Sequence, residues 1–281
     1  MVDDSSLDRV REYYARFGER EWDRLENLDD GAIEFAITCR TLRKYLPTVG
    51  RILDIGGGPG RYAIWLANRG HRVALADLSP NLIEIAKSKV SEAGLESMVE
   101  SMSVADARDL SAWDDNAFDG VVSLGPFYHL TRLADREEAA KELVRVLRPG
   151  AHAFIALMPR YTLLRRTMLI PDERPHLNQS GWLRNLMEEG LFENDIPGRF
   201  NSGYGVVPSE VSPFFDKFGL KTVKLLAAES ISVGIQGELA KVAADQPAMF
   251  EKILDLLEDA ASDSSIHGSC SHLLFVGRKE P

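Results

Sequence analysis

Apolar residues recur at helical spacing near the start of the chain. Leu7, Val10, Tyr14 and Phe17 share one face, and Gly18 is placed to end that helix. A second helix is predicted from about Ala32 to Tyr45, with Ile33, Ala36, Ile37 and Leu42 facing inward and Pro47 as the stop. From Arg51 the pattern changes to short apolar runs alternating with amphipathic stretches. Strands are predicted at 51–56, 71–77, 98–106, 118–125 and 151–158, and helices at 60–70, 79–94 and 136–150. Ser79 and Pro80 suit the N-cap and first position of the helix at 79–94. This alternation predicts an α/β fold, a doubly wound and mostly parallel sheet with helices on both faces. Ligands of such sheets bind beyond the carboxyl ends of the strands.

After Met158 the alternation breaks. Residues 159–205 mix Pro, Arg, Asn and Gly with short helical patches such as 182–190, which predicts a small helical cap inserted after the fifth strand. A sixth strand is predicted at 221–230, an acidic amphipathic helix at 238–261, and a final strand at 271–279. That last strand is expected to be antiparallel, because a long connection precedes it. The chain therefore divides into a helical segment at 1–50, a core at 51–158, a cap at 159–205 and a completion of the sheet at 206–281.

The formal charge of −10 over 281 residues argues against a nucleic-acid backbone or an anionic membrane as the main partner. The two cysteines, Cys39 and Cys270, make neither a disulfide framework nor a zinc spacing, which implies a reducing compartment. The acidic N-terminus lacks the apolar run of a signal peptide, and no stretch is long enough for a membrane helix. A soluble, cytoplasmic protein is expected. No HExxH or carboxylate cluster suggests a metal. His152 reads as structural, and His267 and His272 flank the last strand without forming a ligand set.

The most informative stretch is Asp54-Ile55-Gly56-Gly57-Gly58-Pro59-Gly60, between an apolar run and a helix. Such a loop lets a ligand approach the backbone closely, and at a helix start it often cradles phosphate. Asp54 points elsewhere, because a carboxylate there repels a pyrophosphate and attracts an ammonium group, directly or through water. The spacing is neither GxGxxG nor GxxxxGK[ST]. The next strand ends in Asp77, seventeen residues after Gly60, which suits a ribose diol. The third ends in Val104-Ala105-Asp106-Ala107, where an acid can accept from an adenine amine. One ligand bearing an amine, a ribose and an adenine satisfies all three acids. An Asp at a strand end also serves as a turn-former or cap.

With these residues the stretch from Arg51 to Met158 resembles a class I S-adenosylmethionine-dependent methyltransferase. Asp54, Gly56, Gly58 and Gly60 fall in register with that family's D/E-x-G-x-G-x-G loop, Asp77 with its ribose-binding acid and Asp106-Ala107 with its adenine-binding pair. Residues 118–130, 143–155 and, more weakly, 271–279 resemble its later segments. The resemblance implies a Rossmann-like fold, S-adenosylmethionine as methyl donor and S-adenosylhomocysteine as product. Arg61, Leu78, Leu124 and Tyr14 complete the implied donor site, with the N-terminal helices as a lid. Tyr13, Tyr14, Arg20, Trp22 and Arg24 lie in that lid; an arginine there, or Arg61, is a candidate for the donor carboxylate.

Methyl transfer is an in-line displacement in which positioning supplies much of the rate, and an oxygen or ammonium acceptor also has a proton to lose. His129 is the candidate general base, with helix capping or pocket shaping as the other reading. Tyr128 is a candidate pocket wall. The insertion offers Arg160, Tyr161, Arg165, His176, Asn178, Trp182, Phe192, Phe200 and Tyr204 as an acceptor cover. Of these, His176, Asn178 and Tyr204 join Tyr128 as candidate contacts to a small aromatic or natural-product-like acceptor. Gly125-Pro126-Phe127-Tyr128 stands where base-modifying enzymes carry Asn-Pro-Pro-Tyr, which leaves no device for a flipped base. The rival readings are an NAD(P)-dependent oxidoreductase, which does not require Asp54, and a non-catalytic nucleoside-binding protein on the same fold. Monomer and homodimer are both compatible with the sequence.

Overall fold

The computed structural model describes residues 9–14, 18–27 and 31–281. Its centre is β1 (Arg51–Ile55), whose Ile52, Leu53, Asp54 and Ile55 are all buried, as a parallel strand covered on both faces must be. β2 (Arg72–Asp77), β3 (Val99–Val104), β4 (Phe118–Ser123) and β5 (Leu147–Pro159) run parallel to it in the order β3-β2-β1-β4-β5. The crossovers carry α3 (Arg61–Ala67), α4 (Pro80–Glu92), the single turn α5 (Pro126–His129) and α6 (Leu133–Val146). Upstream lie helical residues 9–14, α1 (Glu19–Arg24) and α2 (Ala32–Tyr45). The predicted inward positions Ile33, Ile37 and Leu42 of α2 are buried; Leu7 and Phe17 lie outside the described residues.

Side chains alternate across the sheet, and so divide the core. Leu53 and Ile55 face α5, α6 and α9 (Pro208–Asp216), while Ile52 faces α2, α3 and α4. Asp54 shares the parity of Ile52, which turns its carboxylate toward the α2 and α3 side.

The sheet has nine strands and branches at β5. Over His152–Leu157, β5 pairs antiparallel with β9 (Leu273–Lys279), and β9 pairs antiparallel with β8 (Leu220–Ala227). The antiparallel C-terminal strand is therefore present. At its last residues β5 instead takes β7 (Ser202–Val206), which forms a hairpin with β6 (Leu191–Glu193). Residues 159–205 are thus not only a helical cap around α7 (Arg160–Leu169) and α8 (Ser180–Arg184); they also extend the sheet.

Two helix boundaries depart from the periodicity. The helix expected at 136–150 ends at Val146, because Leu147 pairs with Phe118 and begins β5. The helix expected at 238–261 is two, α10 (Gln236–Asp245) and α11 (Pro247–Ala260). Pro247 restricts Gln246, whose φ of −140° is not helical, and the chain turns there. A last turn, α12 (Ser264–His267), leads to β9. Leu239, Leu254 and Leu257 of this excursion pack on Ile33 and Ile37 of α2, and Arg40 pairs with Glu251, Asp255 and Glu258. Among the described residues, no helix is long and apolar enough to cross a membrane.

Phe275 of β9 is fully buried and stacks on Phe215 of α9 with centroids 4.5 Å apart. Phe275→Ala is expected to cost about 3–5 kcal/mol, read from the shift in urea midpoint at constant m-value.

Candidate functional site

A single pocket opens at the carboxyl ends of β1 to β4, where the argument from parallel topology places it. Its floor is the glycine loop. Gly56 has φ 73°, and a Cβ there would stand 2.5 Å from Pro126 Cδ, so glycine at 56 lets the β4 loop close on the β1 loop. Gly58 has φ 55°, and a Cβ there would meet only Leu82 at 3.9 Å, so this backbone faces open pocket. Its N–H donates to Asp77 Oδ2 at 2.9 Å. Ser79 N–H donates to the other Asp77 oxygen at 2.8 Å, and Ser79 caps α4 as its sequence predicts.

Asp54 is more exceptional. It is 1% exposed, and its Oδ2 is buried without a hydrogen-bond partner among the described residues. Burial, with the charge of Asp77 adding to it, raises its carboxyl pKa to about 7. Burial raises Asp77 to about 6 against the pull of backbone N–H groups at Ser79 and Gly58. Native proteins rarely leave such an atom unmatched, so an orphaned carboxylate oxygen in a pocket marks a place for a donor group. A ligand ammonium beside Asp54 and a diol beside Asp77 supply what these two groups lack.

Of the sequence-derived donor set, Asp54, Gly56, Gly58, Arg61, Asp77, Leu78, Asp106, Ala107, Leu124 and Tyr14 line this pocket; Gly60 stands behind it as the N-cap of α3. Two members do not stand ready as expected. Asp106 is held by the guanidinium of Arg108, with contacts of 2.6–3.1 Å to both oxygens, so any amine must share it. Arg61 stacks on Trp22 at 3.8 Å, donates to the Trp22 carbonyl and pairs with Glu26, so it anchors α1. Arg24 is the better-placed cation. It lines the pocket and pairs with Glu21 at 3.0 Å and Glu34 at 2.8 Å.

Tyr128 and His129 also line the pocket. The Tyr14 hydroxyl and His129 Nε2 share a 2.9 Å hydrogen bond, and Tyr128 donates to the Leu124 carbonyl. Burial lowers His129 to about 4, so its imidazole is neutral at physiological pH and weakly basic. This is the opposite of the near-neutral pKa that suggested a general base. His176, Asn178 and Tyr204 lie away from the pocket lining. His176 stacks on Trp182 and meets Asn194, and Tyr204 lies under the Arg136 guanidinium at 3.5 Å. These two side chains serve the packing of the insertion.

One cluster has no precursor in the sequence reading. Glu34, Glu229 and His272 bring one donor atom each within 4.8 Å of one another. His272 was expected to stand without such company. The carboxylates of Glu34 and Glu229 outweigh the burial that would lower His272, and raise it to about 9. The positions are too far apart in the chain for any spacing rule to reveal.

A family model described as a methyltransferase domain matches residues 53–155, the segment that carries the glycine loop and the acids. Over 107 residues the chain is 39% identical to the methyltransferase GfsG of Streptomyces halstedii, covering 38% of this chain and 37% of that one. It is 28% identical over 174 residues to the tRNA 5-carboxymethoxyuridine methyltransferase of Escherichia coli, covering 60% and 62%. The chain thus spans less than two thirds of these relatives' length. Among solved structures it resembles the Burkholderia thailandensis 1,6-didemethyltoxoflavin-N1-methyltransferase, crystallised with 1,6-didemethyltoxoflavin and S-adenosylhomocysteine. The TM-score is 0.58 at 14% identity, covering 100% of this chain and 92% of that one. Residues 53–155 thus match a methyltransferase domain, and the fold around them is shared with solved methyltransferase structures.

The raised pKa of Asp54 has a consequence for stability. Its folded value of about 7 exceeds the ordinary 3.8, so the folded state binds the proton more tightly than the unfolded chain between those limits. Ionising Asp54 therefore removes stability as pH rises through that interval. Asp54→Asn should stabilise the ligand-free protein relative to wild type, with a difference in Tm that widens between pH 5 and pH 8. A constant or shrinking difference would show that Asp54 is not a strained acid.

Proposed function

We propose that this protein transfers a methyl group from S-adenosylmethionine to a small-molecule acceptor. The observation that carries the donor half is the orphaned, buried Asp54 oxygen beside the Asp77–Gly58 cradle. In this reading Asp54 meets the donor ammonium, Asp77 the ribose, and Asp106 with Ala107 and Leu78 the adenine. The sulfonium's charge suits a pocket rich in carboxylates. When bound, the donor supplies an electrophilic methyl group; the chain's own residues orient it and exclude water.

The acceptor half rests on the loop after β4. Phe127, Tyr128 and His129 are buried there, and the His129 ring meets Tyr14 and Phe200 at centroid distances of 5.3 and 5.1 Å. An aromatic collar from three elements fits a compact, partly planar acceptor better than an extruded base. The formal charge of −10 also disfavours a polyanionic acceptor. The Escherichia coli relative is named for tRNA, so tRNA binding belongs in the test.

A neutral, weakly basic His129 orients rather than deprotonates in this reading. The acceptor then arrives already nucleophilic, as a carbon, a free amine or an acidified hydroxyl.

S-adenosylhomocysteine should raise Tm in proportion to the logarithm of its concentration, and NAD(P) and bulk tRNA should not. Asp77→Asn should weaken S-adenosylhomocysteine by about tenfold to a hundredfold in calorimetry, through loss of charge-assisted hydrogen bonds. Unchanged affinity removes the ribose assignment, and a salt-dependent complex with tRNA removes the small-molecule reading. Once an acceptor is found, His129→Asn should lower kcat by about tenfold with the pH profile unmoved. Loss of an inflection near pH 6–7 in that variant would restore the general base.

A further inference from the structure

Glu229, His272, Glu34 and Arg24 form one line from the rim of the sheet to the pocket, with the two carboxylates buried and His272 and Arg24 half-buried. Glu229 lies two residues past the end of β8 and His272 directly precedes β9, at the end where Ala227 pairs with Leu273. The Glu229 carboxylate accepts from Ser271 N–H at 3.0 Å and His272 N–H at 2.9 Å through one oxygen, and contacts His272 Nδ1 at 2.7 Å through the other. His272 Nδ1 lies 3.4 Å from Glu34 Oε2, and the same Glu34 oxygen accepts from Arg24 at 2.8 Å. Arg24 then turns into the pocket.

Signs alternate along this line, so the Glu34 carboxylate lies between His272 and Arg24. Glu34, 5% exposed, needs them, since a lone buried carboxylate is strongly unfavourable. Arg24 uses Nε on Glu21 and one terminal nitrogen on Glu34; among the described residues its other terminal nitrogen makes no hydrogen bond or ion pair. A free arginine loses rotamer entropy on gripping a ligand, and one already clamped loses less.

We propose that Glu229 and His272 are positioning residues for the amino-acid end of the donor, holding Arg24 through Glu34 so that its spare nitrogen meets the donor carboxylate. This rests on the donor reading above. It assigns a binding task to two residues that belong to neither the glycine loop nor the lid.

Two ligands separate the parts. S-adenosylhomocysteine carries the ammonium and carboxylate of the amino-acid end, and 5′-methylthioadenosine keeps the nucleoside thioether without either. The double variant Glu229→Gln/His272→Gln removes one charge of each sign and little volume. It should lose about tenfold or more in affinity for S-adenosylhomocysteine and stay within about twofold for methylthioadenosine. Equal loss on both ligands, or none on either, overturns the proposal. Should the double variant not fold, Glu229→Gln alone, which keeps shape and one acceptor, is expected to show the same selective loss in smaller measure. Arg24→Met must match that selectivity, and an unselective Arg24 variant also overturns it. If chelator-treated wild type loses S-adenosylhomocysteine binding, the three side chains are metal ligands and the relay is wrong. Wild type that binds neither ligand refutes the donor reading itself.

Discussion

Asp54, next to last in β1, and Asp77, last in β2, lie at the carboxyl ends of adjacent parallel strands, so the sheet itself brings two buried acids to one rim. Register pairs Asp54 with Leu75 and leaves Asp77 just beyond the pairing, in line with the glycines. Both acids are desolvated, and both have raised pKa values. A fold selected for stability alone would place amides or apolar groups here. The glycines, the cap at Ser79 and the turn after β4 all serve to enclose these two groups without fully satisfying them.

The distribution of hydrogen bonds shows how the strain is divided. Asp77 has two backbone N–H donors and is the less perturbed. Asp54 keeps one oxygen bare. A neutral diol needs an acceptor that is already well placed, and an ammonium needs one with uncompensated charge. The difference between the two acids therefore matches the difference between the two ligand groups assigned to them.

Much of this was legible in the chain. Helical periodicity located α2 at its true ends, and alternation located the parallel strands, because both patterns come from burial that local spacing encodes. The glycine loop and Asp77 were legible as pocket-lining positions because backbone geometry places them at the carboxyl ends of the strands. The β6–β7 hairpin was not: β6 is three residues long, and β7, with its two glycines, pairs with β5 at only two positions. Nor did the sequence show that Arg61 would be taken by Trp22, or that Glu34, Glu229 and His272 would meet, since these depend on the packing of distant segments. His129 lines the pocket, but burial lowers its pKa; residue type gives the ordinary value, and only burial shows the departure.

The first fifty residues also divide differently from their sequence pattern. Leu42 and Leu46 belong to the same core cluster as Ile52 and Phe154, and the β8–β9 excursion packs Leu254 and Leu257 over Ile33 and Ile37. α2 is therefore a layer between sheet and excursion, held at its far end by Arg40 and its three carboxylates. Opening it would expose apolar surface on two sides. Among the described residues upstream of α2, Val10 and Leu25, the C-cap of α1, are the buried apolar ones. Glu34 sits on α2 and Arg24 on α1, so their ion pair joins the Tyr14–His129 hydrogen bond and the contacts of Arg61 with Trp22 and Glu26 in tying the upstream elements to the core.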